Sequence, residues 1–420
     1  MRLFESERSG RLYQKVLELA GLFHSAGGRA LLVGGAVRDA LLGQPVKDID
    51  LEIHGLDSRQ VLEILESVCE VDAVGMSFGV IKVKHFDLDI SLPRRENKTG
   101  AGHKGFLVEV DPQLSIADAA ARRDFTVNAI MYDPLACELL DPHGGVADLE
   151  KKLLRHVSRH FSEDPLRVLR GMQFAARLDF SIAPETVALC AQISQEELAV
   201  ERIGSEWEKL FLQGKRPSAG LEFLRQCSWL KFYPELESLS PEKWGETLAL
   251  LDQCAQLRTR ERSKDLVLAG AALCSFMENG GSFFRRLWNR HELISRTLAH
   301  AESFLSLTGK NQLPSLPEVR RLALKLKGVE LLVLLLEGAG ERETAQEISR
   351  MAQSENIYLA PPEPLLTGRH GIEAGLKAGP ELGRLLKECF EAQLNGEFRD
   401  VEGGRNYLQG LLGKSLLQKK

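Results

Sequence analysis

A hydrophobic run that ends in two glycines limits the fold of this chain more than any other feature. Residues 31–33 are Leu-Leu-Val and lead directly into Gly34 and Gly35. Because glycine has no Cβ, the backbone at such a pair can approach a phosphate group closely. Arg38 follows within a short apolar segment and can neutralise phosphate charge. The order predicts a buried strand, a turn suited to phosphate, and a helix.

Two carboxylates follow on a second predicted strand. Asp48 and Asp50 are separated by one residue, and residues two apart on a strand point to the same face of the sheet. Carboxylate oxygens are the ligands that Mg²⁺ prefers, and the ion usually keeps several waters. The sequence therefore predicts a nucleotide site in which Asp48 and Asp50 hold a divalent metal.

Length and composition are those of an ordinary folded protein. The chain has 420 residues, of which 44% are hydrophobic and 27% charged, and this length predicts two or more cooperative units. No apolar stretch is long enough to span a membrane, and the first residues lack the apolar core of a signal peptide. Seven scattered cysteines without a Cys-x-x-Cys pair predict reduced thiols and no structural zinc. We expect a cytoplasmic protein with no membrane contact.

Charge alone does not define the partner. The net charge of −5 argues against a nucleic-acid ligand, but binding depends on local patches more than on global charge. Basic clusters occur near 94–104, 122–123, 151–159, 285–290 and 320–327. A solvated helix face is the simpler interpretation of any one cluster.

The pattern of secondary structure changes along the chain. Short strands and helices alternate to about residue 155, and amphipathic helical patterns fill the rest, with a Pro-rich joint at 361–364. In the first part we predict strands at 30–33, 48–53, 79–84 and 86–91, helices at 11–26, 37–42 and 59–69, a loop at 93–106, and a helix that begins after Ser115 and carries Arg122 and Arg123. Further helices are predicted at 163–178, 184–214, 217–226, 241–258, 264–277, 283–307, 316–337 and 341–354. The predicted domains are a head over 1–155, a neck over 156–235, a body over 236–358 and a tail over 359–420.

Later motifs resemble those of a known family. Residues 121–129 read Ala-Arg-Arg-Asp-Phe-Thr-Val-Asn-Ala, 162–178 contain Glu-Asp-x-x-Arg, and 200–211 begin Val-Glu-Arg-Ile-Gly. Together with residues 31–52, these motifs resemble those of the nucleotidyltransferase superfamily that includes DNA polymerase β. Within it, they resemble the class II branch of tRNA CCA-adding enzymes and bacterial poly(A) polymerases. The resemblance implies an α/β head with a polymerase-β-like mixed sheet, followed by an all-α neck, body and tail.

In this family, the head holds the sugar and triphosphate of the nucleotide. Arg123 can donate to phosphate or ribose oxygens through its planar fork, Asp124 can accept from a ribose hydroxyl, and Asn128 offers an amide about one helical turn away. The superfamily often adds a third carboxylate from a neighbouring strand. Asp89 is the candidate for that catalytic group, and Asp87 is the alternative.

The family uses the Glu-Asp-x-x-Arg element as a protein template for CTP and ATP. Asp164, Arg167 and Arg170 are three residues apart and are predicted to share one helical face. The resemblance implies that Asp164 and Arg167 read the base and that Arg170 lies toward the phosphates. Gln173 replaces an arginine found in many relatives, which argues against a phosphate contact there. The simpler interpretation is a plain helix start with Ser162 as N-cap.

Two further segments are interpreted more simply. The segment 200–211 resembles a neck helix that supports the base-reading helix, so Glu201, Arg202 and Glu206 are expected to form inter-helix pairs and to take no part in chemistry. The segment 364–383 resembles the C-terminal region of many bacterial CCA-adding enzymes. That resemblance implies tRNA binding, and an ordinary helical turn is the alternative.

The function implied by the resemblance is template-independent addition of C, C and A to the 3′ end of tRNA. CTP and ATP would supply the nucleotides, pyrophosphate would leave, and Mg²⁺ would be the metal. The implied macromolecular partner is the acceptor stem and 3′ end of tRNA, and the sequence predicts no oligomeric state.

Four alternative functions are compatible with parts of this pattern. An A-adding enzyme, which completes only C-C ends, remains open. A CC-adding enzyme is disfavoured by the loop at 93–106, and a poly(A) polymerase by the lack of an arginine-rich insertion near 77–83. A catalytically inactive RNA-binding scaffold predicts damaged metal ligands, whereas Asp48 and Asp50 are both present.

Overall fold

The computed structural model describes residues 10–72, 80–98, 106–195, 198–310 and 312–418. The chain forms two compact units, one ending at Pro234 and the other beginning at Glu235. The first unit combines a mixed sheet with helices, and the second is helical throughout its described residues. The predicted fold class, an α/β head followed by a helical remainder, is confirmed.

A mixed sheet organises the first unit. The strands in chain order are β1 (Arg29–Val33), β2 (Ile49–His54), β3 (Val71–Asp72), β4 (Val80–Val83), β5 (Leu88–Ser91), β6 (Arg94–Lys98), β7 (Phe106–Val110), β8 (Met131–Asp133), β9 (Glu138–Leu140), β10 (Leu153–Leu154) and β11 (Ser181–Ile182). The sheet has the order β3-β4-β5-β2-β1-β8-β9, while β6 pairs with β7 and β10 with β11. β1 lies between two neighbours and is apolar over 30–33, as expected of a strand buried on both faces.

The first unit also contains nine α-helices among its described residues. They are α1 (Arg11–Ser25), α2 (Gly35–Leu41), α3 (Ser58–Val68), α4 (Ile116–Ala121), α5 (Gly145–Glu150), α6 (Leu166–Leu178), α7 (Pro184–Cys190), α8 (Val200–Gln213) and α9 (Pro217–Gln226). A short helix, α10 (Pro234–Glu237), begins at the last residue of this unit. α6 packs on α8 and α9. A Cβ at Gly220 of α9 would lie 2.5 Å from the Met172 carbonyl oxygen, so glycine permits this close packing.

The second unit is built from helices. They are α11 (Pro241–Gln256), α12 (Arg262–Cys274), α13 (Gly280–Leu287), α14 (His291–Leu307), α15 (Leu316–Leu326), α16 (Glu330–Gly338), α17 (Arg342–Ser354), α18 (Gly368–Glu373), α19 (Pro380–Asn395) and α20 (Val401–Gln418). Buried Arg320 donates to both carboxylate oxygens of Glu355 and to the carbonyls of Gln393 and Leu394. This arginine ties α15 to α17 and α19. Among the described helices, none is both long and apolar enough to cross a membrane.

The loop prediction for 93–106 is wrong in part. Arg94–Lys98 forms β6 and pairs antiparallel with β7, while 99–105 lie outside the described residues. Backbone hydrogen bonds between β6 and β7 form this two-stranded ribbon. The sequence of β6 is polar throughout and lacks the apolar–polar alternation of a half-buried strand, so the sequence pattern did not indicate a strand.

Three predicted helices are each two helices in the structure. The segment 184–214 divides between Cys190 and Val200, 283–307 divides at extended Trp288, and 316–337 divides at left-handed Lys327. Apolar residues continue at helical spacing across these breaks, so periodicity alone could not locate them.

Candidate active site

A cavity of about 470 Å³ in the first unit brings together residues from distant parts of the sequence. Its lining contains every predicted site residue except Asp89: Gly34, Gly35, Arg38, Asp48, Asp50, Arg123, Asp124, Asn128, Asp164, Arg167 and Arg170. Asp89 lines an adjoining cavity of about 370 Å³ that shares Asp50 and Arg123 with the first. A larger cavity, about 750 Å³, opens at the other end of β1 and is lined by none of these residues.

The turn between β1 and α2 depends on Gly34. Its φ of 73° and ψ of −137° form a conformation that residues with a Cβ rarely adopt. A Cβ there would lie 3.4 Å from both Arg123 Nη1 and Asp50 Oδ2. The arginine and the carboxylate therefore converge on the backbone of this turn.

We expect Gly34→Ala to lower the free energy of unfolding by about 1–3 kcal/mol, because alanine would be strained in this conformation. Gly35→Ala is the matched control, since a Cβ at Gly35 would meet Arg38 Nη2 at an ordinary 3.5 Å. Chemical denaturation of the wild type and both variants measures the difference. Equal stability of the two variants would contradict the strain argument.

The sheet places the three predicted acidic residues near one another. Asp48 immediately precedes β2, and Asp50 is its second residue. β2 and β5 are parallel, and Asp50 lies directly opposite Asp89 in their register. Asp87 lies in the turn before β5 and is exposed, so the structure favours Asp89 over Asp87 as the neighbour of the pair.

The electrostatics of Asp50 suit a cation. Desolvation raises the pKa of its carboxyl, Asp89 and Asp48 raise it further, and Arg123 opposes the increase. A divalent ion would relieve the repulsion between these carboxylates. Among the described residues, no group of three or more His, Cys, Asp or Glu side chains is arranged to enclose a metal. Carboxylate oxygens are the donor type that hard divalent cations bind, and such ions often take water and substrate phosphates as further ligands.

A buried network joins the head motif to α6. Asp124 accepts hydrogen bonds from Asn128 Nδ2 at 2.9 Å, Arg170 Nε at 2.7 Å and the Phe125 backbone N–H at 2.8 Å. Burial opposes ionisation of Asp124, but Arg170 and these hydrogen bonds outweigh it and lower its pKa. Arg38 Nη1 donates to Asn128 Oδ1 at 2.6 Å. The network fixes Arg38 and Arg170 on the same cavity wall.

The start of α6 differs from the prediction. Ser162 belongs to a 3₁₀ helix (Arg159–Glu163), and α6 begins at Leu166, so Ser162 is not its N-cap. Asp164 has extended dihedral angles and accepts the Leu166 N–H at 3.1 Å. Asp164 therefore does not share a helical face with Arg167 and Arg170. Its position before the helix, as a cap, still places its carboxylate in their cavity.

Arg167 and Asp164 are held by other parts of the unit. The two terminal nitrogens of Arg167 donate to the carbonyls of His160 and Arg122, each at 2.7 Å. Arg202 Nη2 of α8 donates to Asp164 Oδ2 at 2.9 Å. Arg202 was predicted to form an inter-helix pair, but its partner Asp164 lies in the extended segment before α6, and Arg202 also lines the cavity. Glu206 is buried and accepts a hydrogen bond from Lys209 of its own helix. Its charge also acts across to α6, where it is one of the groups that raise the pKa of Arg170.

Sequence reasoning missed Phe174 and Arg177, which lie on α6 and line the cavity. The guanidinium carbons of Arg38, Arg170 and Arg177 lie 5.2, 5.3 and 5.7 Å from the centre of the Phe174 ring. Desolvation and the neighbouring Arg38 lower the pKa of Arg177, as expected of clustered cations. Gln173 Oε1 accepts from Arg177 Nη1 at 3.2 Å. The spacing of 170, 174 and 177 on one helical face was the available signal.

Glu52 is another residue that sequence reasoning missed. It is buried on β2, where its carboxylate accepts from Arg123 Nη2 at 3.2 Å and contacts His54 Nε2 at 3.0 Å. Burial opposes its ionisation, but His54 and Arg123 outweigh that effect and lower its pKa. Its place two residues after Asp50 was the available signal, because alternation puts both on one face.

Two parts of the chain match known protein-family models. Residues 30–155, which contain the sheet and the carboxylates, match the family model described as "Poly A polymerase head domain". Residues 179–239 match "Probable RNA and SrmB- binding site of polymerase A". The resemblance to the class II tRNA nucleotidyltransferase and poly(A) polymerase family is confirmed.

Curated relatives align with part of the chain. It is 38% identical over 262 residues to the "Multifunctional CCA protein" of Mannheimia succiniciproducens, covering 58% of this chain and 61% of that protein. It is 43% identical over 219 residues to the protein of the same name in Xylella fastidiosa, covering 50% and 51%. The chain thus spans between half and two thirds of the length of these relatives.

Solved structures share the fold along nearly the whole chain. The Bacillus stearothermophilus CCA-adding enzyme in complex with CTP has a TM-score of 0.74 at 23% identity, covering 97% of this chain and 99% of that one. The Thermotoga maritima CCA-adding enzyme complexed with tRNA has a TM-score of 0.66 at 20% identity, covering 96% and 97%. These similarities extend the shared fold into the helical second unit.

Proposed function

We propose that this protein is a tRNA nucleotidyltransferase that adds C, C and A to the tRNA 3′ end from CTP and ATP. The observation that carries the proposal is one cavity that combines paired carboxylates, clustered arginines and an acidic cap beside a fixed arginine. Such a cavity can bind a nucleoside triphosphate and examine its base without a nucleic-acid template. The CCA proteins among the relatives support the same activity.

We assign metal binding to Asp48 and Asp50 and the third catalytic carboxylate to Asp89. Mg²⁺ held there would activate the attacking tRNA 3′-hydroxyl and stabilise the leaving pyrophosphate. Asp89 lies in the adjoining cavity beside Asp50. We therefore assign the 3′-terminal nucleotide of tRNA to that cavity, where Asp89 can orient the hydroxyl toward the α-phosphate.

The arginines on the cavity wall would bind the triphosphate. Arg38 and Arg170 are fixed by the Asn128–Asp124 network, so their charges are in place before the nucleotide arrives. Preorganised charge stabilises a transferring phosphoryl group with little reorganisation. Gly34 and Gly35 leave the turn open for the phosphates, and Arg123 would donate to phosphate or ribose oxygens. Asp124 accepts three hydrogen bonds from the protein and so orients Arg170. A carboxylate has about four acceptor sites, so we also assign Asp124 to accept from a ribose hydroxyl.

Asp164 and Arg167 would read the base. A carboxylate accepts hydrogen bonds and a guanidinium donates them, so the two together can pair with the edges of both cytosine and adenine. Arg202 holds Asp164, and two backbone carbonyls hold Arg167. This support fixes both groups and gives the site its selectivity against other bases.

The remainder of the chain would bind tRNA. We propose that the neck over 156–235 carries the base-reading helix and that the body and tail over 236–358 and 359–420 contact the acceptor stem. Recognition by backbone and shape suits an enzyme that must accept every tRNA. We propose a cytoplasmic location, where tRNA maturation supplies the substrate.

Two other activities remain candidates. The name of the matching head-domain model favours poly(A) polymerase as a second function, and an A-adding enzyme has the same site with a narrower product. A poly(A) polymerase would add many adenosines to an unstructured RNA with ATP alone.

The test compares a tRNA transcript that lacks its 3′ C-C-A with an unstructured RNA of the same length. Each is incubated with purified protein, Mg²⁺ and either CTP alone or ATP alone, and products are resolved to one nucleotide. We expect CTP to be added to the tRNA and ATP to extend neither RNA. Long adenosine tails on the unstructured RNA would favour poly(A) polymerase. No addition to either RNA would leave an A-adding enzyme or an inactive scaffold, and a tRNA transcript that ends in C-C, offered ATP, separates these two.

A further inference from the structure

The polar face of β2 extends beyond the proposed metal ligands. Asp50, Glu52 and His54 alternate along the strand, and Glu52 and His54 are 7% and 8% exposed. A buried charge is costly unless it is paired and hydrogen-bonded. The proposed chemistry uses neither Glu52 nor His54, so their burial requires another explanation.

The contacts of Glu52 fix its orientation. Its Oε1 lies 3.0 Å from His54 Nε2, and its Oε2 accepts from Arg123 Nη2 at 3.2 Å. An ionised carboxylate can only accept, so His54 donates through Nε2. Each oxygen of Glu52 therefore has its own donor. His54 does not line the active-site cavity, whereas Arg123 does.

Arg123 lies between two carboxylates. Its Nη2 contacts Glu52, while its Nη1 and Asp50 Oδ2 both lie 3.4 Å from the position of a Cβ on Gly34. Arg123 and Asp50 also line both cavities of the site together. Glu52 and Asp50 thus compete for the guanidinium of Arg123. When Arg123 pairs with Glu52, the carboxylate of Asp50 is available to a cation.

We propose that Glu52, oriented by His54, is a positioning residue that holds Arg123 away from Asp50 and so keeps Asp50 available for a divalent metal. The inference rests on the proposed function, because it takes Asp50 as a metal ligand. Without the Glu52 charge, Arg123 pairs with Asp50 and competes with the metal. Glu52 acts through Arg123 and touches no reacting atom.

The test measures Mn²⁺ binding to the full-length protein from the electron paramagnetic resonance signal of free Mn²⁺. Glu52→Gln keeps the shape of the side chain and removes its charge, and we expect Mn²⁺ to bind about tenfold more weakly. Glu138→Gln is the matched control, since Glu138 pairs with Arg29 at 2.9 Å on the same sheet and lines neither cavity described for the site. It should bind Mn²⁺ as the wild type does.

A second comparison tests whether Glu52 acts through Arg123. In an Arg123→Ala background, Glu52→Gln should change Mn²⁺ binding by less than about twofold, because coupled residues are not additive. His54→Leu should weaken binding in the same direction, while His54→Gln, which can still donate, should restore it. The His54 variants carry the test if Glu52→Gln does not fold, as judged by thermal melting.

Unchanged Mn²⁺ binding in folded Glu52→Gln, or in His54→Leu, would overturn the proposal. An equal loss with and without Arg123 would also overturn it. Because the assay needs no turnover, its result is distinct from that of the proposed function. A wild type that binds Mn²⁺ but adds no nucleotide would refute the activity and leave this test standing.

Discussion

Asp50→Asn is expected to reduce nucleotide incorporation by at least about a thousandfold, because charge stabilisation by a bound metal is worth several kcal/mol. The substitution keeps the shape of the side chain and removes its negative charge, which repels those of Asp89 and Asp48 and which a bound cation would neutralise. Binding of tRNA should change little, since the proposed tRNA surface lies mainly in the helical part of the chain. Single-turnover incorporation and a filter-binding assay measure the two properties.

Asp89→Asn and Asp87→Asn form a matched pair for the third carboxylate. Asp89 is opposite Asp50 in the β2–β5 register, so its loss should slow incorporation, whereas loss of Asp87 in the exposed turn should have no effect. Full activity of Asp50→Asn would refute the metal assignment. A slow Asp87 variant beside an active Asp89 variant would reverse the choice between them.

Arg167→Ala is expected to lower kcat/KM for both CTP and ATP by about 10–100-fold, since a good arginine–base pair is worth about 1–3 kcal/mol. Two backbone carbonyls hold the fork of Arg167 in place, so the free protein already presents it to the base. Discrimination against UTP should fall by a similar factor. Single-turnover rates with CTP, ATP and UTP measure both effects.

Arg159→Ala provides the control for loss of a nearby positive charge. Arg159 begins the 3₁₀ helix before α6, is exposed and does not line the cavity. Its loss should leave base selection unchanged. Unaltered selectivity of Arg167→Ala, or an equal loss in Arg159→Ala, would contradict the base-reading role.

The sequence was sufficient to predict those strands of the head whose local pattern of apolar and acidic residues directly reflects their place in the sheet. The apolar run before Gly34 became β1, and the alternation of Asp48 and Asp50 matched the start of β2. The prediction that Asp89 lies beside Asp50 depended on strand pairing, and the sheet register provides it. The catalytic and binding roles of these residues stay predictions until the variants are measured.

Other features depend on packing that periodicity does not encode. Asp164 precedes α6 because its carboxylate caps Leu166, so counting residues in steps of three misplaced it. Arg202 reaches the cavity only because α8 packs against α6. Glu52 looks like an ordinary strand residue until the fold brings Arg123 against it.

The most direct test of the proposed activity uses two tRNA transcripts, one that ends at the discriminator base and one that already ends in C-C. Each is incubated with purified protein, Mg²⁺, CTP and ATP, and the products are sized and sequenced at their 3′ ends. We expect the shorter transcript to grow by three nucleotides, in the order C, C, A, and then to stop. A transcript that does not grow, while one already ending in C-C receives a single A, would contradict CCA addition and define an A-adding enzyme.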